Sequence, residues 1–573
     1  MAITWSEIRR WDPANLNTAV EDLTNSRKKL MEEADEAASA KGRVQSSGAA
    51  VTAMLTSLGS LNELLDAIVN EVSELMMATA EAATGVWDVK TKVFECTSFV
   101  KQYPDLSIGE DGQVRVTGSE PRNDEKIRLK ELIKKAIERA VEVDNDYAKR
   151  LRDVANGRYV CKETAASDSQ GLPDLPQKGW SPTEAAAWWG ALTEAERRKL
   201  IKNHPEAIGN LDGLPGSARD EANRILLPRK LEAAKKHLKE IEEKYESESR
   251  KYDREGEWGF KPRNKYGDDV LEARRRVNDL TKLNELVNVE GKPRRHYQLL
   301  TLEVPERYDK DVKAAVAVGD IDKATNVATT VPGIGNTVRK GMDGMLNTAE
   351  ELRTKAGADK TAVVAWIGYD APPGFLDNDA NGSEAEYMST GVANKAAPAL
   401  NRFEEGIHVS HQKQGVDPHL TVHAHSYGST VSGTALLDTK VGVVDAAQLH
   451  GSPGGRATNA HQWNVPYGHM YTAENGDDSI VGMGELGGFG PEPSKVPGVQ
   501  RISEDPDGGH SDYWSNPEFM EDAAQITAGE DPSVDRRDNA AAEASAQCAA
   551  KIPNGAQGAS GPRLRPAGTG WGS

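Results

Sequence analysis

The stretch that decides the fold is residues 419–433, "HLTVHAHSYGSTVSG". It begins as a short, mainly apolar run, passes through a sharp turn and continues as the start of a helix. Ser426 lies at the tip of the turn, between Ala424 and Gly428. Small residues two positions before and after a serine let strand and helix approach closely, which is typical of a nucleophile elbow. Ser426 is therefore either a nucleophile or an ordinary loop serine.

The sequence around this elbow indicates an α/β domain. Short apolar runs alternate with helix-length connections between residues 291 and 530, which predicts a mostly parallel sheet with helices on both faces. The predicted strands lie in "YQLLTLEV", "KAAVAVGD", "NVATTVPGIGN", "TAVVAWIGYDAP", "HLTVHAHS", "VGVVDAAQLHGSPG" and "HMYTAENGDDS". Ser426 follows the fifth strand, at the carboxyl end where such sheets place their ligand sites.

Candidates for a base and an acid follow the elbow in the chain. A serine hydroxyl is a weak nucleophile and needs a base that is oriented by a carboxylate. Asp477 and Asp478 come just after a predicted strand, and His510 lies in the glycine-containing loop "DPDGGHSDYW". Taken singly, the histidine fits a surface loop and the aspartates fit a turn or a helix cap. Together with Ser426, in the order Ser, Asp, His of α/β hydrolases, they indicate a triad with either aspartate as the acid.

Backbone amides near the elbow are candidates for an oxyanion hole. The N–H of Tyr427 directly follows Ser426, and a second amide is expected from the loop after the third strand, "TTVPGIGNT". In that loop Gly333 allows close backbone approach and Ile334 can present its N–H, although a plain strand-to-helix turn also favours glycine. No ligand set forms around the neighbouring histidines His423 and His425, so we predict neither a metal nor a cofactor.

The rest of the chain divides into helical and low-complexity parts. Residues 1–160 carry apolar residues at three- and four-residue spacing, which predicts a helical hairpin or bundle. Residues 161–180 form a predicted linker, and residues 181–290 a helical segment with a charged helical pair that leads into the α/β domain. Residues 531–573 are poor in apolar side chains and predict a disordered tail.

Composition excludes several classes of partner. The 573 residues carry a formal net charge of −19, which argues against a nucleic-acid partner because such a partner needs a basic face. The sequence has no apolar run long enough to span a membrane. The N-terminus lacks the apolar region of a secretory signal, so we expect a cytoplasmic protein or one exported by another route.

Three blocks of the sequence resemble a known family. They are "VPGIGNT", "VAWIGYDAP" with "AHSYGS", and "HGSPG" followed by "HSDYW". They resemble the actinobacterial α/β-hydrolase family known as a domain of unknown function, and the likeness covers roughly residues 180–525. The resemblance implies Ser426 as nucleophile, His510 as base and Asp478 as the orienting acid, with Asp477 as the alternate. Asp478 is preferred because Asp478-Ser479-Ile480 matches the family's Asp-small-aliphatic pattern; Ala424 departs from the usual glycine.

The N-terminal helices are similar to the WXG-type helical modules that type VII secretion handles. This resemblance implies export by a type VII-like route and a helical partner protein for residues 1–160. The expected function is a serine hydrolase with a Ser-His-Asp triad, acting on an ester or related acyl bond of a small-molecule or lipid substrate. The alternative is a non-catalytic, secretion-linked scaffold or effector whose helical N-terminus binds a partner.

Overall fold

The computed structural model describes most of the chain: residues 3–118, 122–157, 175–176, 179–254, 266–373, 389–481 and 488–532. Apart from residues 175–176 and 179–180, the predicted linker lies outside the described residues. The predicted tail, apart from residues 531–532, does so as well.

The N-terminal region is helical, as predicted. Its elements are α1 (Trp5–Ile8), α2 (Ala14–Arg43), α3 (Ala49–Gln102), the hairpin β1 (Leu106–Ile108) and β2 (Val114–Val116), and α4 (Asn123–Ala155). The long helices α2 and α4 both pack on α3. Ion pairs reinforce the α3–α4 contact, since Arg150 lies 2.8 Å from Glu74 and Arg139 lies 2.9 Å from Asp88.

A second group of helices leads into the sheet. It comprises α5 (Pro182–Ala191), α6 (Glu194–Asn203), α7 (Pro205–Ile208), α8 (Gly216–Arg254), α9 (Gly267–Val287) and the short hairpin β3 (Asn288–Val289) and β4 (Lys292–Pro293). A capping box starts α5, because the Ser181 hydroxyl accepts from the Glu184 amide. The charged pair α8–α9 buries Leu227, Leu231 and Leu283 against the sheet, so one face of it is core.

The central sheet has eight strands. They are β5 (Tyr297–Glu303), β6 (Lys313–Val318), β7 (Asn326–Val331), β8 (Thr361–Ile367), β9 (His419–His425), β10 (Ala446–His450), β11 (Met470–Ala473) and β12 (Gln500–Arg501). Their order is β12-β11-β10-β9-β7-β8-β6-β5. Strands β12 to β8 run parallel, and β6 is antiparallel to both of its neighbours. The two-residue β12 escaped prediction because both of its side chains are polar.

Helices cover both faces of this sheet. They are α10 (Met342–Lys355), α11 (Gly391–Gln412), α12 (Tyr427–Asp438) and α13 (Pro517–Thr527). One face is buried by α11 and α12, and the other by α8, α9, α10 and α13. This arrangement confirms the predicted α/β-hydrolase architecture. Because β7, β9, β10, β11 and β12 are parallel, the loops that follow them meet at one rim of the sheet.

The N-terminal helices are packed onto the α/β domain through Trp87 of α3. This side chain is buried in the same core as the sheet, and its indole N–H donates to the Val441 carbonyl over 2.9 Å. The Lys440 ammonium lies 5.3 Å from the indole ring centre and 2.7 Å from the Glu405 carboxylate. The contact therefore combines apolar burial, a hydrogen bond and a cation–π interaction.

We expect Trp87→Ala to lower the free energy of unfolding by about 3–5 kcal/mol, because it leaves a cavity and an unpaired Val441 carbonyl. Denaturant titration with circular dichroism measures the change. Leu64→Ala is the matched control, since Leu64 lies on the same helix and is 57% exposed; it should change stability by less than about 0.5 kcal/mol. Equal losses in the two variants would contradict the docking of α3 on the sheet.

Candidate active site

Ser426 sits in a strained turn between β9 and α12. Its backbone angles are φ 56° and ψ −131°, a region that residues with a side chain rarely adopt. The turn is held from outside, because the Ser426 amide donates to the His450 carbonyl at the end of β10 over 3.1 Å. The strand and the helix on either side are both packed in the core. The fold therefore maintains a conformation that the isolated turn would avoid.

The small residues of the elbow have different reasons to be small. A Cβ on Gly428 would lie 2.5 Å from the carbonyl oxygens of Val331 and Pro332, so α12 can approach the end of β7 only with glycine there. Ala424 is fully buried in the core beneath the turn. The methyl group of Ala424 is accommodated there, and the departure from the family's usual glycine leaves the turn intact.

The structure brings Ser426, His510 and Asp478 together at the rim. The Ser426 Oγ lies 2.9 Å from the His510 Nε2, and the His510 Nδ1 lies 2.9 Å from each carboxylate oxygen of Asp478. A carboxylate accepts, so Nδ1 carries the proton and Nε2 is left to accept the hydroxyl proton of Ser426. The three side chains thus form one directional chain of hydrogen bonds.

His510 contacts Asp478 rather than Asp477. The Asp478 side chain is 0% exposed and also accepts from the Ile480 amide over 2.9 Å and from the Tyr513 hydroxyl over 2.7 Å. Burial pushes the pKa of Asp478 up, but the hydrogen bonds from His510 and Tyr513 outweigh it, so the pKa lies below its ordinary value. Asp477 is exposed to solvent, and its amide donates to the Gly508 carbonyl.

Residues outside the predicted set hold the His510 loop in place. His425 donates from Nε2 to the His510 carbonyl over 2.7 Å, and the two imidazole rings lie 4.6 Å apart. Burial, with the nearby His510, lowers the pKa of His425 to about 4, so its ring is neutral near pH 7. Asn475 donates to the Gly509 carbonyl and accepts from the Asp505 amide. Sequence reasoning placed His425 beside the nucleophile but had no signal for Asn475 or for the Tyr513 contact.

The loop after β7 lies directly against Ser426. A Cβ on Gly333 would lie 2.6 Å from the Ser426 Cβ and 2.9 Å from its Oγ. Asn336 donates from its side-chain amide to the carbonyls of Gly333 and Ile334, each over 3.1 Å. Because C=O and N–H point in opposite directions in a trans peptide, the bond to Gly333 turns the N–H of Ile334 away from Asn336. Tyr427, the other predicted donor, is the first residue of α12.

We expect Gly333→Ala to slow the reaction of Ser426 by roughly 100-fold, because the added methyl group displaces the hydroxyl or the loop beside it. The rate of labelling by a fluorophosphonate probe measures this change. Gly344→Ala is the matched control, since Gly344 lies in α10 and a Cβ there would meet nothing within 4 Å. Equal labelling rates in both variants would contradict the close contact of the loop with Ser426.

His423, the other histidine near the elbow, belongs to the core. Its Nε2 lies 2.8 Å from the Thr527 hydroxyl, and its Nδ1 pairs with the Gln448 side chain. Among the described residues, no group of three or more His, Cys, Asp or Glu side chains is arranged to hold a metal ion. In the same part of the chain, no helix has the length and apolar content needed to cross a membrane.

Comparison with known proteins places the central segment in a family. A family described as alpha/beta hydrolase matches residues 308–488, a segment that contains Ser426 and Asp478 and ends before His510. An uncharacterised protein of Mycobacterium tuberculosis, Rv2079, is 32% identical over 320 residues, which are 54% of this chain and 46% of that protein. The chain thus spans about half the length of this relative. An uncharacterised protein of Mycobacterium bovis, Mb0988c, is 36% identical over 205 residues, 34% of this chain and 72% of that protein.

Solved structures resemble the chain more distantly. XC6422 of Xanthomonas campestris, described as an α/β serine hydrolase without a lid, is 12% identical with a TM-score of 0.27, and the match covers 41% of this chain and 94% of that one. A hyperthermophilic esterase from Pyrobaculum calidifontis is 14% identical with a TM-score of 0.28, over 49% and 94% of the two chains. The matched family segment, the coverage of the Mycobacterium bovis relative and the sheet itself show that the chain belongs to the α/β-hydrolase family.

Proposed function

We propose that the protein is a serine hydrolase that cleaves an ester or a related acyl bond through an acyl-enzyme intermediate. The observation that carries this proposal is the continuous contact from the Ser426 Oγ through the His510 ring to the Asp478 carboxylate. The strained backbone of Ser426 supports it, because such strain is typical of nucleophile elbows. Membership of the α/β-hydrolase family agrees with this chemistry.

The proposed reaction has two halves. Ser426 attacks the substrate carbonyl while the His510 Nε2 takes its proton, and the proton then passes to the departing alcohol as the acyl-enzyme forms. Water attacks the acyl-enzyme in the second half, with His510 again taking the proton and returning it to Ser426 as the acid leaves. Asp478 keeps the imidazole in the required tautomer and stabilises the imidazolium that forms.

The amides of Tyr427 and Ile334 are the proposed donors to the oxyanion. Support comes from the close approach of Gly333 to Ser426. It also comes from the hydrogen bond by which Asn336 orients the peptide between Gly333 and Ile334. A donor of this kind contributes about 3 kcal/mol to transition-state stabilisation in studied enzymes.

A cavity on the same rim is the proposed binding region for the substrate, a small-molecule or lipid ester. Its volume is about 640 Å³, within the range of ligand pockets. It lies on the β8 side of the loop after β7, next to the triad rather than around it. Gly335 and Tyr369 line it together with many charged side chains, among them Lys313, Arg339 and Asp370. We propose that it receives the part of the substrate beyond the reacting carbonyl.

A panel of p-nitrophenyl esters from acetate to palmitate tests the proposal. We expect the purified chain to hydrolyse at least one ester, with a rate that depends on acyl length because the cavity has a limited volume. Background hydrolysis across the whole panel would contradict the esterase activity.

The second candidate is a scaffold whose helices bind a partner, and one observation favours it. Met54, Leu61, Leu64 and Ile68, spaced three, four or seven residues apart, form a stripe on α3 that is between 36% and 57% exposed. Such a stripe suits an amphipathic helical partner. The WXG-type likeness of residues 1–160 and export by a type VII-like route remain predictions. A chain that acts only as a scaffold would leave Ser426 unlabelled by a fluorophosphonate.

A further inference from the structure

We propose that Tyr513 is a positioning residue of this site: its hydroxyl holds the Asp478 carboxylate against the His510 ring. The inference rests on the proposed function and adds to it a fourth side chain, which does not touch the substrate. Tyr513 follows His510 by three residues, in a 3₁₀ turn (Tyr513–Ser515).

The hydroxyl of Tyr513 has one orientation available to it. It accepts from the Asn475 amide over 3.0 Å and donates to the Asp478 Oδ2 over 2.7 Å. A phenol has a single proton, and the amide occupies the acceptor side of the oxygen, so the proton is directed at the carboxylate. Asn475 lies three residues before Asp478. The same contact therefore joins the turn that carries Asp478 to the loop that carries His510.

The ring of Tyr513 is held as firmly as its hydroxyl. The residue is 1% exposed, and its ring centre lies 5.8 Å from that of His425, 5.2 Å from that of His450 and 5.6 Å from that of Phe519. A ring packed on several sides has few rotamers to choose from. The hydroxyl is consequently fixed in place before a substrate arrives.

The Asp478 carboxylate needs this donor because it is buried. Without donors, a buried carboxylate takes up a proton rather than remain charged. Asp478 has three described donors: the His510 ring, the Tyr513 hydroxyl and the Ile480 amide. Burial, followed by the contact with Asp478, raises the pKa of Tyr513, so the phenol keeps its proton and stays a donor.

Other titratable groups around Asp478 and His510 do not take over the role of the Tyr513 hydroxyl. Burial lowers the pKa of His425 to about 4 and the pKa of His450 well below its ordinary value, so both rings are neutral near pH 7. Burial raises the pKa of Glu474, which precedes the turn that carries Asp478. Neither of these two rings therefore changes its charge near neutral pH.

The sign of the expected pH effect follows from the net charge of this pair. With neutral His510 and ionised Asp478 the pair carries one negative charge, which the Tyr513 hydroxyl stabilises. After His510 takes up a proton the pair is neutral overall and depends less on that donor. Removal of the hydroxyl therefore favours the protonated pair and moves the titration midpoint of His510 to higher pH.

Comparison of Tyr513→Phe with Tyr471→Phe tests the proposal. Tyr471 is 2% exposed and lies in the same buried cluster, so its replacement removes a phenol oxygen without touching Asp478. Nuclear magnetic resonance of the imidazole rings, assigned with His510→Gln, follows the titration and requires no turnover. We expect Tyr513→Phe to raise the His510 midpoint by about one unit. The pH at which fluorophosphonate labelling becomes half-maximal should rise with it, and Tyr471→Phe should leave both unchanged.

An unmoved titration in folded Tyr513→Phe would overturn the proposal, because a residue needed only for packing leaves the midpoint where it was. If Tyr513→Phe does not fold, the same titration of His510 is measured on the wild-type chain with 3-fluorotyrosine in place of tyrosine. The fluorinated phenol keeps its shape and donates more strongly, so the midpoint should fall, and an unchanged midpoint would again overturn the proposal. A wild-type chain that resists labelling would count against the proposed function alone, since the titration still reports on Tyr513.

Discussion

Ser426→Ala should abolish fluorophosphonate labelling and reduce ester hydrolysis to the background rate, a loss on the order of 10⁶-fold in kcat in comparable enzymes. The reason is geometric: the Ser426 Oγ is the hydroxyl that the His510 Nε2 contacts, and alanine offers no atom to attack the carbonyl. Alanine carries about the same backbone strain as serine at φ 56°, so the fold should persist. Mass spectrometry of the labelled wild-type chain should locate the probe on Ser426.

Ser432→Ala is the control for this experiment. Ser432 is buried, as Ser426 is, and lies on α12, but it comes after the first turn and away from the elbow. The control variant should keep its labelling and its hydrolysis within about twofold, because it removes a buried hydroxyl outside the contact chain. Hydrolysis that survives Ser426→Ala would contradict the proposed nucleophile.

The second large effect is expected at Asp478, the proposed acid of the triad. Asp478→Asn should lower kcat by about 10⁴-fold, because the amide cannot hold the His510 ring with its proton on Nδ1 as a carboxylate does. Asp477→Asn, the same change at the neighbouring exposed position, should stay within about twofold of the wild type. Steady-state hydrolysis of the best ester of the panel measures both. A larger loss at position 477 than at 478 would assign the acid to Asp477.

The fold was largely predictable because its signals are local. Seven of the eight sheet strands appear as apolar runs, and only the polar, two-residue β12 has no such pattern. The capping box of Ser181 and Glu184 marks the start of α5 within four residues of sequence. Small residues around Ser426 likewise predict an elbow, since the steric demand comes from the chain immediately before and after it.

The candidate site was predictable only in part. Chain order indicated Ser426, His510 and a pair of aspartates, and only the resemblance to the family's Asp-small-aliphatic pattern favoured Asp478 over Asp477. Two adjacent carboxylates in one turn are otherwise equivalent until the His510 ring is in place. The Tyr513 hydroxyl and the Asn475 side chain had no sequence signal, because each acts on a partner from another loop. The docking of Trp87 on Val441 joins residues 354 positions apart, a distance over which periodicity carries no information.

The sequence by itself therefore determined which segments become strands and helices, where the elbow lies and which residue types are available for chemistry, since periodicity, caps and turn sterics act over a few residues. The tertiary structure decided which aspartate faces His510, which phenol holds that aspartate and how the N-terminal helices meet the sheet. Those choices depend on contacts between loops that only the parallel packing of β7 to β12 brings to one rim.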